Sequence, residues 1–452
     1  MTDLIIIGAG PGGYETAVRA AKLGLQVTIV ESKHLGGTCL NEGCIPTKCL
    51  CHSAEMLDEI RGASSLGINA ENITFNLEVA IERKNQVVAQ LTSGVAGLMK
   101  SPGITLVNGK ASFKDKNTVC VTKPDGSVEE LSAKHIIIAT GSVSKFLPIE
   151  GAHSENVVTS TELLDMTSLP KRLCVIGGGV IGLEFASIFN SFGSEVTVVE
   201  FCKEVLPNLD KDIAKRLRTS LKKRGISFHV DAAVTAVKTL EDGSSEVCFT
   251  EKGKEASVNA DCVLMAVGRA ANLESLNLDE VGISYTRRGI EVNADMQTNI
   301  PEIYAIGDIN GICPLAHAAT FQGYRAIDHI LGNESEINLE IIPSAVFTVP
   351  ELASVGRSEE QLKDADIDYK SHKYFYRANG KALSLGADEG LVKILADENG
   401  KVLGAQILGA HASDLIHEVT LLMSNGGTLE DIAKTVHAHP TLSELVLAAA
   451  ES

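Results

Sequence analysis

Short runs of apolar residues, each followed by closely spaced glycines, recur along this chain. The run at 4–7 leads into a glycine-rich segment at 8–13, and the run at 173–176 leads into a similar segment at 177–182. Apolar runs of about four to eight residues bounded by glycine are typical of buried strands. Because a helix-like stretch and a second apolar run follow each segment, the pattern predicts two strand–turn–helix–strand units.

Both glycine segments have the order G-x-G-x-x-G, and an acidic residue, Glu31 or Glu200, ends the second apolar run of each unit. Glycines in this order allow a tight turn and a close approach of the backbone to a pyrophosphate, which the following helix N-terminus faces. The carboxylate then accepts hydrogen bonds from a ribose. The glycines concerned are Gly8, Gly10, Gly13, Gly177, Gly179 and Gly182. One such motif alone is a weak indication, but two copies in this context predict two bound dinucleotides.

The same pattern predicts other elements and the domain boundaries. Residues 53–100 are predicted to be helical, with apolar positions three and four apart between 87 and 98, whereas residues 104–142 predict short strands joined by turns. A boundary is expected at 148–151, where proline and glycine interrupt the pattern. From about 343 onward, antiparallel strands and amphipathic helices replace the glycine motifs, which indicates a separate C-terminal domain.

The composition is that of a globular protein with an acidic surface. Of the 452 residues, 44% are hydrophobic and 22% are charged, and the formal net charge is −18. This negative charge argues against binding to nucleic acid or to an anionic membrane surface. The apolar runs are too short to cross a membrane. Because the first three residues lead directly into a predicted strand, no targeting peptide is expected, and a cytoplasmic location is predicted.

Candidate chemistry lies just after the first predicted ribose-binding acid, where Cys39 and Cys44 stand five residues apart at the start of a predicted helix. The two thiols can approach to disulfide distance only if the first turn is distorted, which Gly43 and the glycines before Cys39 would permit. A helix N-terminus and the nearby Lys48 favour a thiolate at neutral pH. From the residues alone, two reduced core cysteines or a zinc site remain alternatives, although zinc would need a second pair of ligands.

Together these motifs resemble those of the flavin-dependent disulfide reductases. The resemblance rests on both glycine motifs, Gly-Gly-Thr-Cys-x4-Cys at 36–44, Ala-Thr-Gly at 139–141, Gly-Asp at 307–308 and His-Ala-His-Pro-Thr at 437–441. It covers essentially the whole chain, with the motifs in order, and is strongest to the members that oxidise dihydrolipoamide. It implies an α/β fold with two Rossmann-like dinucleotide-binding domains and a C-terminal α+β dimerisation domain.

The resemblance also implies a domain order and an assembly. The expected domains are an FAD-binding domain at 1–145, an NAD-binding domain at 146–270, a central domain at 271–342 that completes the FAD-binding region, and an interface domain at 343–452. In the resembling family the last domain pairs two subunits, so a homodimer is expected. Neither nucleic acid nor a membrane is expected as a partner.

The cofactor residues are implied one by one. FAD is expected on the first glycine motif with Glu31, and NAD on the second with Glu200, while Glu184 is expected beside the flavin and paired with Lys48. Further residues expected to contact FAD are Lys48, Ala111, Thr140, Gly141, Ser142, Asp308, Pro314, Leu315, Ala316 and His317, and those expected to contact NAD are Val234 and Gly268. The charge of Glu200 disfavours the 2′-phosphate of NADP, since unit charges about 4 Å apart repel by roughly 4 kcal/mol at intermediate dielectric. Lys203 is a nearby cation that could offset this repulsion.

For catalysis, the resemblance implies a redox-active disulfide in which Cys44 faces the flavin and Cys39 exchanges with the substrate. His439 is expected to act as the base, because imidazole titrates near neutral pH. Glu444 is expected to orient His439. As an alternative, Glu444 could serve only a capping box, Thr-Leu-Ser-Glu at 441–444, that opens the last helix. In the family this histidine completes the site of the partner subunit.

The expected reaction is the FAD-dependent oxidation of dihydrolipoamide to lipoamide with reduction of NAD⁺. The lipoyl groups would be presented by carrier domains of 2-oxo acid dehydrogenase complexes or of the glycine cleavage system. NAD(P)H-dependent reduction of another disulfide, such as glutathione, is the alternative. A non-catalytic flavin-bearing subunit is a third hypothesis, which the intact Cys39, Cys44 and His439 disfavour. No metal site is expected.

Two residues depart from the family pattern. Glu42, between the cysteines, stands where an apolar residue is usual, and Gln322 stands where an acidic residue near the flavin is frequent. Both leave the required groups in place, so they bear on the redox potential and not on the reaction. Cys49 and Cys51 are interpreted as bystanders, and His437 as structural.

Overall fold

The chain forms two compact units. A computed structural model describes residues 2–452, so that Met1, the first residue of the predicted FAD-binding domain, lies outside the described chain. The first unit contains the chain up to Cys49, Val79–Lys145 and Gly268–Leu339, and the second contains Leu50–Glu78, Phe146–Val267 and Glu340–Ser452. The two glycine motifs lie in different units, whereas the four-domain division stays a prediction. Within residues 2–452, no helix has both the length and the apolar character that crossing a membrane requires.

Strands are distributed along the whole described chain. In chain order they are β1 (Thr2–Ile7), β2 (Val27–Glu31), β3 (Ile104–Asn108), β4 (Lys110–Asp115), β5 (Thr118–Thr122), β6 (Val128–Ile138), β7 (Ser142–Ser144), β8 (Val157–Val158), β9 (Arg172–Ile176), β10 (Glu195–Glu200), β11 (Ser227–Val230), β12 (Ala232–Thr239), β13 (Ser245–Glu251), β14 (Lys254–Ala260), β15 (Cys262–Met265), β16 (Arg269–Ala271), β17 (Tyr285–Thr286), β18 (Gly289–Ile290), β19 (Ile303–Ala305), β20 (Ser344–Val346), β21 (Leu352–Gly356), β22 (Lys370–Phe375), β23 (Leu391–Ala396) and β24 (Val402–Leu408).

Helices lie between groups of these strands. They are α1 (Pro11–Lys22), α2 (Gly37–Asn41), α3 (Cys44–Gly62), α4 (Leu77–Leu98), α5 (Ser160–Leu163), α6 (Val180–Phe192), α7 (Lys211–Lys223), α8 (Leu278–Val281), α9 (Ala316–Ile330), α10 (Glu359–Asp364), α11 (Gly380–Ser384), α12 (Ala412–Ser424), α13 (Leu429–Ala433) and α14 (Glu444–Ala450), with 3-10 turns at Ala63–Leu66, Gly307–Asn310 and Tyr376–Ala378. The segment 53–100, predicted to be helical, contains the second half of α3 and all of α4, with the 3-10 turn and residues 67–76 between them. Both predicted strand–turn–helix–strand units are confirmed, as β1–α1–β2 and β9–α6–β10.

A parallel sheet in the order β3–β2–β1–β6–β19 forms the centre of the first unit. The side chains of β1 alternate between two hydrophobic cores, with Leu4 and Ile6 in one and Ile5 and Ile7 in the other. Because both faces of the sheet are covered, the strand is apolar at successive positions. The first half of β6 extends beyond this sheet and pairs antiparallel with β5, which in turn pairs with β4.

The second unit contains three sheets. A parallel sheet in the order β11–β10–β9–β15–β8 carries the second glycine motif, and an antiparallel sheet is formed by β12, β13 and β14. The C-terminal segment forms an antiparallel sheet in the order β20–β21–β24–β23–β22, whose core includes residues of α12 and α14. The predicted change to antiparallel strands and helices near 343 is therefore confirmed.

Candidate active site

The turn between β1 and α1 accepts only glycine at two of its three motif positions. Gly8 has a φ of +107°, and a Cβ on it would lie 2.4 Å from the carbonyl oxygen of Ala139. A Cβ on Gly13 would lie 1.9 Å from the carbonyl oxygen of Gly8. Any larger residue at either position would therefore displace the backbone.

The turn between β9 and α6 repeats this geometry. Gly177 has a φ of +109°, and its Cβ would lie 2.4 Å from the carbonyl oxygen of Ala266. A Cβ on Gly182 would lie 2.0 Å from the carbonyl oxygen of Gly177. Ala139 follows β6, which pairs with β1, and Ala266 follows β15, which pairs with β9. The sequence repeat is thus also a repeat of backbone conformation.

The middle glycine of each motif is free of such internal constraints. A Cβ on Gly10 would meet no atom closer than 3.9 Å, and one on Gly179 none within 4 Å. These residues are the N-caps of α1 and α6, and neither helix start has a side-chain capping hydrogen bond. Open space beside the backbone, together with the partial positive charge of an uncapped helix start, suits a pyrophosphate. The residues present therefore fit the dinucleotides predicted for the two turns.

Each ribose-binding candidate is fixed beside its turn by two backbone N–H groups. One comes from the residue after the first motif glycine, and the other from two residues beyond the acid itself. The donors are Ala9 and Lys33 for Glu31, both at 2.7 Å, and Gly178 and Cys202 for Glu200. A carboxylate has further lone pairs that can accept from ribose hydroxyls. Glu200 is buried, so a phosphate against it would meet a poorly screened charge.

Two of the predicted FAD residues from separate segments meet at a hydrogen bond. The Ser142 hydroxyl donates to the Asp308 carboxylate at 2.5 Å. Arg269 donates to the Ser142 hydroxyl through Nε and to the Ser142 carbonyl oxygen through Nη2, both at 2.7 Å. Burial lowers the pKa of Arg269, and the charge of Asp308 opposes that effect. The structure thus ties 140–142, which follows β6, to the turn at 307–310.

Arg269 and Asn272 were not predicted from the sequence. The Asn272 side chain donates to the carbonyl oxygen of Thr140 at 3.3 Å, and the Thr140 hydroxyl donates to the carbonyl oxygen of Asn272 at 3.1 Å. The Asn272 N–H donates to the carbonyl oxygen of Gly141, which has a φ of +69°. A signal was present, because 263–269 repeats the strand-then-glycine ending of 136–141. Pairing between β7 and β16 brings the two endings together.

The remaining predicted FAD residues lie near the first turn or in the sheet beside it. Leu315 is the N-cap of α9, which starts at Ala316, and His317 is exposed in its first turn. Helix α9 packs closely on α1, since a Cβ on Gly12 would lie 3.0 Å from the Ala319 Cβ. Ala111 is buried on β4. The segment 314–317 therefore begins a helix that packs directly against the first glycine turn.

Gln322 has an evident structural task in this region. Its Oε1 accepts from the N–H of Gly307 at 2.7 Å and from the Asn310 side chain at 2.9 Å, and its side chain is buried. An amide oxygen thereby supplies the acceptor that the turn at 307–310 needs. Of the predicted NAD residues, Val234 lies half-buried on β12, and Gly268 is exposed with a φ of +100°.

Cys39 and Cys44 are joined by a disulfide, with their Cα atoms 4.7 Å apart. The pairing is achieved by two helices and not by one distorted turn, because α2 ends at Asn41 and Cys44 is the first residue of α3. A Cβ on Gly43 would lie 3.1 Å from the carbonyl oxygen of Thr38, so a small residue lets the two segments approach. Cys44 is exposed and starts a long helix, a position that stabilises a thiolate once the bond is opened.

Cysteines elsewhere have a different environment. Burial raises the pKa of Cys174 and that of Cys262 to about 12, so both stay thiols at neutral pH. Buried Cys51 donates through its thiol to the carbonyl oxygen of Phe347 at 3.5 Å. Glu42, between the redox pair, forms an ion pair with Lys33. Among the cysteines of residues 2–452, only Cys39 and Cys44 form a disulfide, and one of them, exposed Cys44, is the first residue of a helix.

Glu184 lies on the helix that follows the second glycine turn, and Lys48 lies on the helix that starts at Cys44. Glu184 lies on α6, is buried, and accepts from the N–H of Phe347 at 3.0 Å. Lys48 is half-buried on α3, about one turn after Cys44. Their predicted pairing stays a prediction.

His439 is hydrogen-bonded to Glu444. Its Nδ1 lies 3.0 Å from Glu444 Oε1, and its side chain is 80% exposed. Because a carboxylate only accepts, Nδ1 is the donor in this hydrogen bond, which leaves Nε2 as the nitrogen available to a substrate proton. The hydrogen bond from the Thr441 N–H, together with His439, holds the pKa of Glu444 below its usual value. Glu444 therefore accepts from both the Thr441 N–H and the histidine, but α14 starts at Glu444 with Ser443 as its N-cap and without a side-chain capping hydrogen bond, so the capping box of the alternative is not formed.

Two family models match most of the chain. Residues 2–323 match the pyridine nucleotide-disulphide oxidoreductase model. Residues 342–450 match the dimerisation domain of the pyridine nucleotide-disulphide oxidoreductases. The second match supports a homodimer formed through the C-terminal segment.

Similar proteins span the full length of the chain. It is 45% identical over 454 residues to a dihydrolipoyl dehydrogenase of Bacillus subtilis, covering 100% of this chain and 96% of the relative. It is 42% identical over 452 residues to the dihydrolipoyl dehydrogenase of Geobacillus stearothermophilus, with the same coverage. The crystal structure of LpdA from Mycobacterium tuberculosis superposes with a TM-score of 0.91 at 29% identity, covering 100% of this chain and 99% of the other.

Proposed function

The chain belongs to the pyridine nucleotide-disulphide oxidoreductase family, and from this premise we propose that it oxidises dihydrolipoamide to lipoamide while reducing NAD⁺ to NADH. The observation that carries the proposal is the Cys39–Cys44 disulfide at the start of α3, directly after a dinucleotide-binding unit. Full-length similarity to dihydrolipoyl dehydrogenases supports the substrate. The protein is therefore proposed to be an NAD-dependent flavoprotein enzyme.

The first glycine turn is proposed to hold FAD and the second to hold NAD⁺. The first turn shares its unit with the disulfide and with the Ser142–Asp308 hydrogen bond, whereas the second has the buried carboxylate of Glu200. FAD, when bound, supplies a carrier that accepts two electrons from the cysteine pair and delivers them as hydride to NAD⁺. Asp308 is proposed to accept from a hydroxyl of the flavin chain.

The residues of the chain account for the thiol chemistry. Nε2 of His439 takes the proton of a substrate thiol, and the resulting thiolate attacks Cys39, which breaks the Cys39–Cys44 bond and leaves a thiolate on Cys44. The second substrate sulfur then attacks the sulfur joined to Cys39, closing lipoamide and releasing the Cys39 thiol. Two electrons and the thiol protons leave the substrate, and the α3 N-terminus stabilises the negative charge on Cys44.

Two subunits are proposed to share each site, with His439 of one subunit serving the cysteines of the other. The exposure of His439 and the match to a dimerisation domain support this arrangement. The substrate would be a lipoyl group on a carrier domain of a 2-oxo acid dehydrogenase complex or of the glycine cleavage system. A cytoplasmic location is likewise proposed.

A pair of coupled assays tests the function. The purified protein should be yellow, should reduce NAD⁺ with dihydrolipoamide, and should fail to oxidise NADPH with glutathione disulfide. Turnover of glutathione disulfide without turnover of dihydrolipoamide would favour the alternative reductase. A protein that binds flavin yet turns over neither substrate would favour a non-catalytic subunit.

Glu200→Gln is expected to relax the preference for NAD⁺ over NADP⁺. Removing the charge removes a repulsion of roughly 4 kcal/mol, which corresponds to a factor on the order of 10³ in kcat/KM for NADP⁺. The ratio of kcat/KM values for the two nucleotides measures this effect. Glu195→Gln, at the exposed start of β10, is the matched control and should leave the ratio unchanged. An unchanged ratio in Glu200→Gln would contradict the role of Glu200.

Gly179→Ala and Gly182→Ala are expected to fail in different ways. The first adds a methyl group to open space, so the protein should fold but bind NAD⁺ more weakly, by roughly tenfold or more. The second places a Cβ against the carbonyl oxygen of Gly177 and should lower the yield of folded protein. Titration with NAD⁺ and thermal melting would separate the two effects. Equal NAD⁺ affinity in Gly179→Ala would argue against a pyrophosphate at this helix start.

A further inference from the structure

The loop that carries His439 is anchored on one side by a second histidine. His437 Nε2 lies 2.7 Å from Glu418 Oε1 on α12, and His437 Nδ1 lies 2.8 Å from the carbonyl oxygen of Thr435. A carboxylate and a carbonyl oxygen can only accept hydrogen bonds, so both ring nitrogens must donate. Both hydrogen bonds can therefore form together only when the ring, whose side chain is 5% exposed, carries two protons.

The acidic side chains and the carbonyl oxygen that face His437 all favour its protonated form. Glu418 reaches it from α12, the Thr435 carbonyl oxygen from the loop, and Glu444 acts on it from α14. Partial burial alone would lower the pKa of His437, but these groups outweigh the burial, and the pKa lies above its ordinary value. The pKa of His437 is therefore higher in the folded than in the unfolded chain. The stabilisation of the fold by the protonated ring is complete below the unfolded pKa and is lost as the pH rises through the folded pKa.

The other side of the loop is held independently. The Asn379 side chain donates to the carbonyl oxygen of Thr441 at 3.1 Å, and the Thr441 hydroxyl donates to the carbonyl oxygen of Ala438 at 2.7 Å. Between these anchors, the exposed His439 ring has Glu444 as its one side-chain partner among the hydrogen bonds of residues 2–452. The direction of its Nε2 therefore depends on how firmly the loop is held on both sides.

We propose that His437 is a positioning residue for the base, and that its two hydrogen bonds, to Glu418 and to Thr435, fix the loop so that His439 Nε2 meets the substrate thiol. The proposal rests on the proposed function, since it assigns His437 to the dihydrolipoamide half of the reaction. Loss of one ring proton removes one of the two bonds and loosens the loop. Activity toward dihydrolipoamide should then fall on the alkaline side.

His437→Gln and Glu418→Gln in the full-length holoenzyme test this proposal. His437→Gln turns an amide oxygen or nitrogen toward partners that only accept, and should lower kcat for dihydrolipoamide by roughly ten- to a hundredfold. Glu418→Gln keeps an acceptor but removes the charge, so kcat at acid pH should be kept while the alkaline limb moves to lower pH by roughly one unit. His437→Lys retains a cation with several donors and should recover part of the lost activity.

Two further measurements distinguish the role from general damage to the fold. Oxidation of NADH by an artificial electron acceptor does not use the base, and its rate should be unchanged in His437→Gln and in Glu418→Gln. An equal loss in this assay, or a wild-type pH profile in Glu418→Gln, would overturn the proposal. The ¹⁵N shifts of the His437 ring, assigned by its loss in His437→Gln, should report two protons at neutral pH. A neutral ring would overturn it whatever the substrate proves to be, whereas absent dihydrolipoamide turnover in the wild type would instead contradict the proposed function.

Discussion

Replacing Cys44 with serine is expected to reduce dihydrolipoamide oxidation to background while FAD stays bound. A hydroxyl cannot form the disulfide that accepts the two electrons, and no other cysteine combines a disulfide with a helix start in the described chain. The proposed flavin contacts come from the glycine turn, Ser142 and Asp308, which the substitution leaves intact. The ratio of flavin to protein absorbance and the rate of NAD⁺ reduction measure the two properties on one sample.

Two companion variants make this result specific. Cys39→Ser should also lose the activity, because the disulfide needs both sulfurs. Cys248→Ser, on β13, changes a cysteine outside the disulfide and should keep the wild-type rate. Substantial turnover by Cys44→Ser would show that electrons reach the flavin by a route that bypasses the pair, and the proposed chemistry would be wrong.

Replacing His439 with glutamine is expected to lower kcat for dihydrolipoamide by roughly 10²–10⁴-fold, the usual range for loss of a general base. While Nδ1 donates to Glu444, the exposed ring presents Nε2 as the nitrogen that can take a thiol proton, and an amide cannot take up such a proton at neutral pH. Glu444→Gln should cost less, because its amide oxygen can still accept from Nδ1. Steady-state rates against pH measure both effects.

A matched histidine checks that the effect is local. His372 lies on β22 of the C-terminal sheet and is hydrogen-bonded to the carbonyl oxygen of Ser452. His372→Gln should leave the rate within about twofold of wild type. The alkaline rise in rate that a general base produces should disappear in His439→Gln. A wild-type pH profile in that variant would assign the proton transfer to another group.

Much of the site could be predicted because its motifs depend on local backbone geometry. Gly8 and Gly177 have positive φ values, and a Cβ on Gly13 or Gly182 would collide with the carbonyl oxygen five residues earlier, so the motif itself records these requirements. The spacing of Cys39 and Cys44 likewise made a disulfide conceivable. The sequence alone still left zinc and separate thiols open, and it was the break between α2 and α3 that brought the two Cα atoms to 4.7 Å.

Other contacts join residues that are far apart in the chain, and no local sequence pattern predicts them. Arg269 reaches Ser142, and Asn272 exchanges hydrogen bonds with Thr140, because β16 pairs with β7. His437, interpreted as structural from the sequence, is hydrogen-bonded to Glu418, nineteen positions away on α12. The hydrogen bonds that Glu444 accepts from His439 and from the Thr441 N–H also depend on where the loop places His439.

The order of apolar runs, glycines, acids and cysteines by itself determined the α/β fold class, the two dinucleotide units and the identity of the chemical groups. Those features follow from short stretches in which each residue acts on near neighbours through sterics and helix or strand geometry. The tertiary structure alone decided which side chains meet, including the hydrogen bond between His439 Nδ1 and Glu444 and the one between His437 and Glu418. These properties depend on partners contributed by distant segments, whose approach is set by sheet pairing and helix packing over the whole fold.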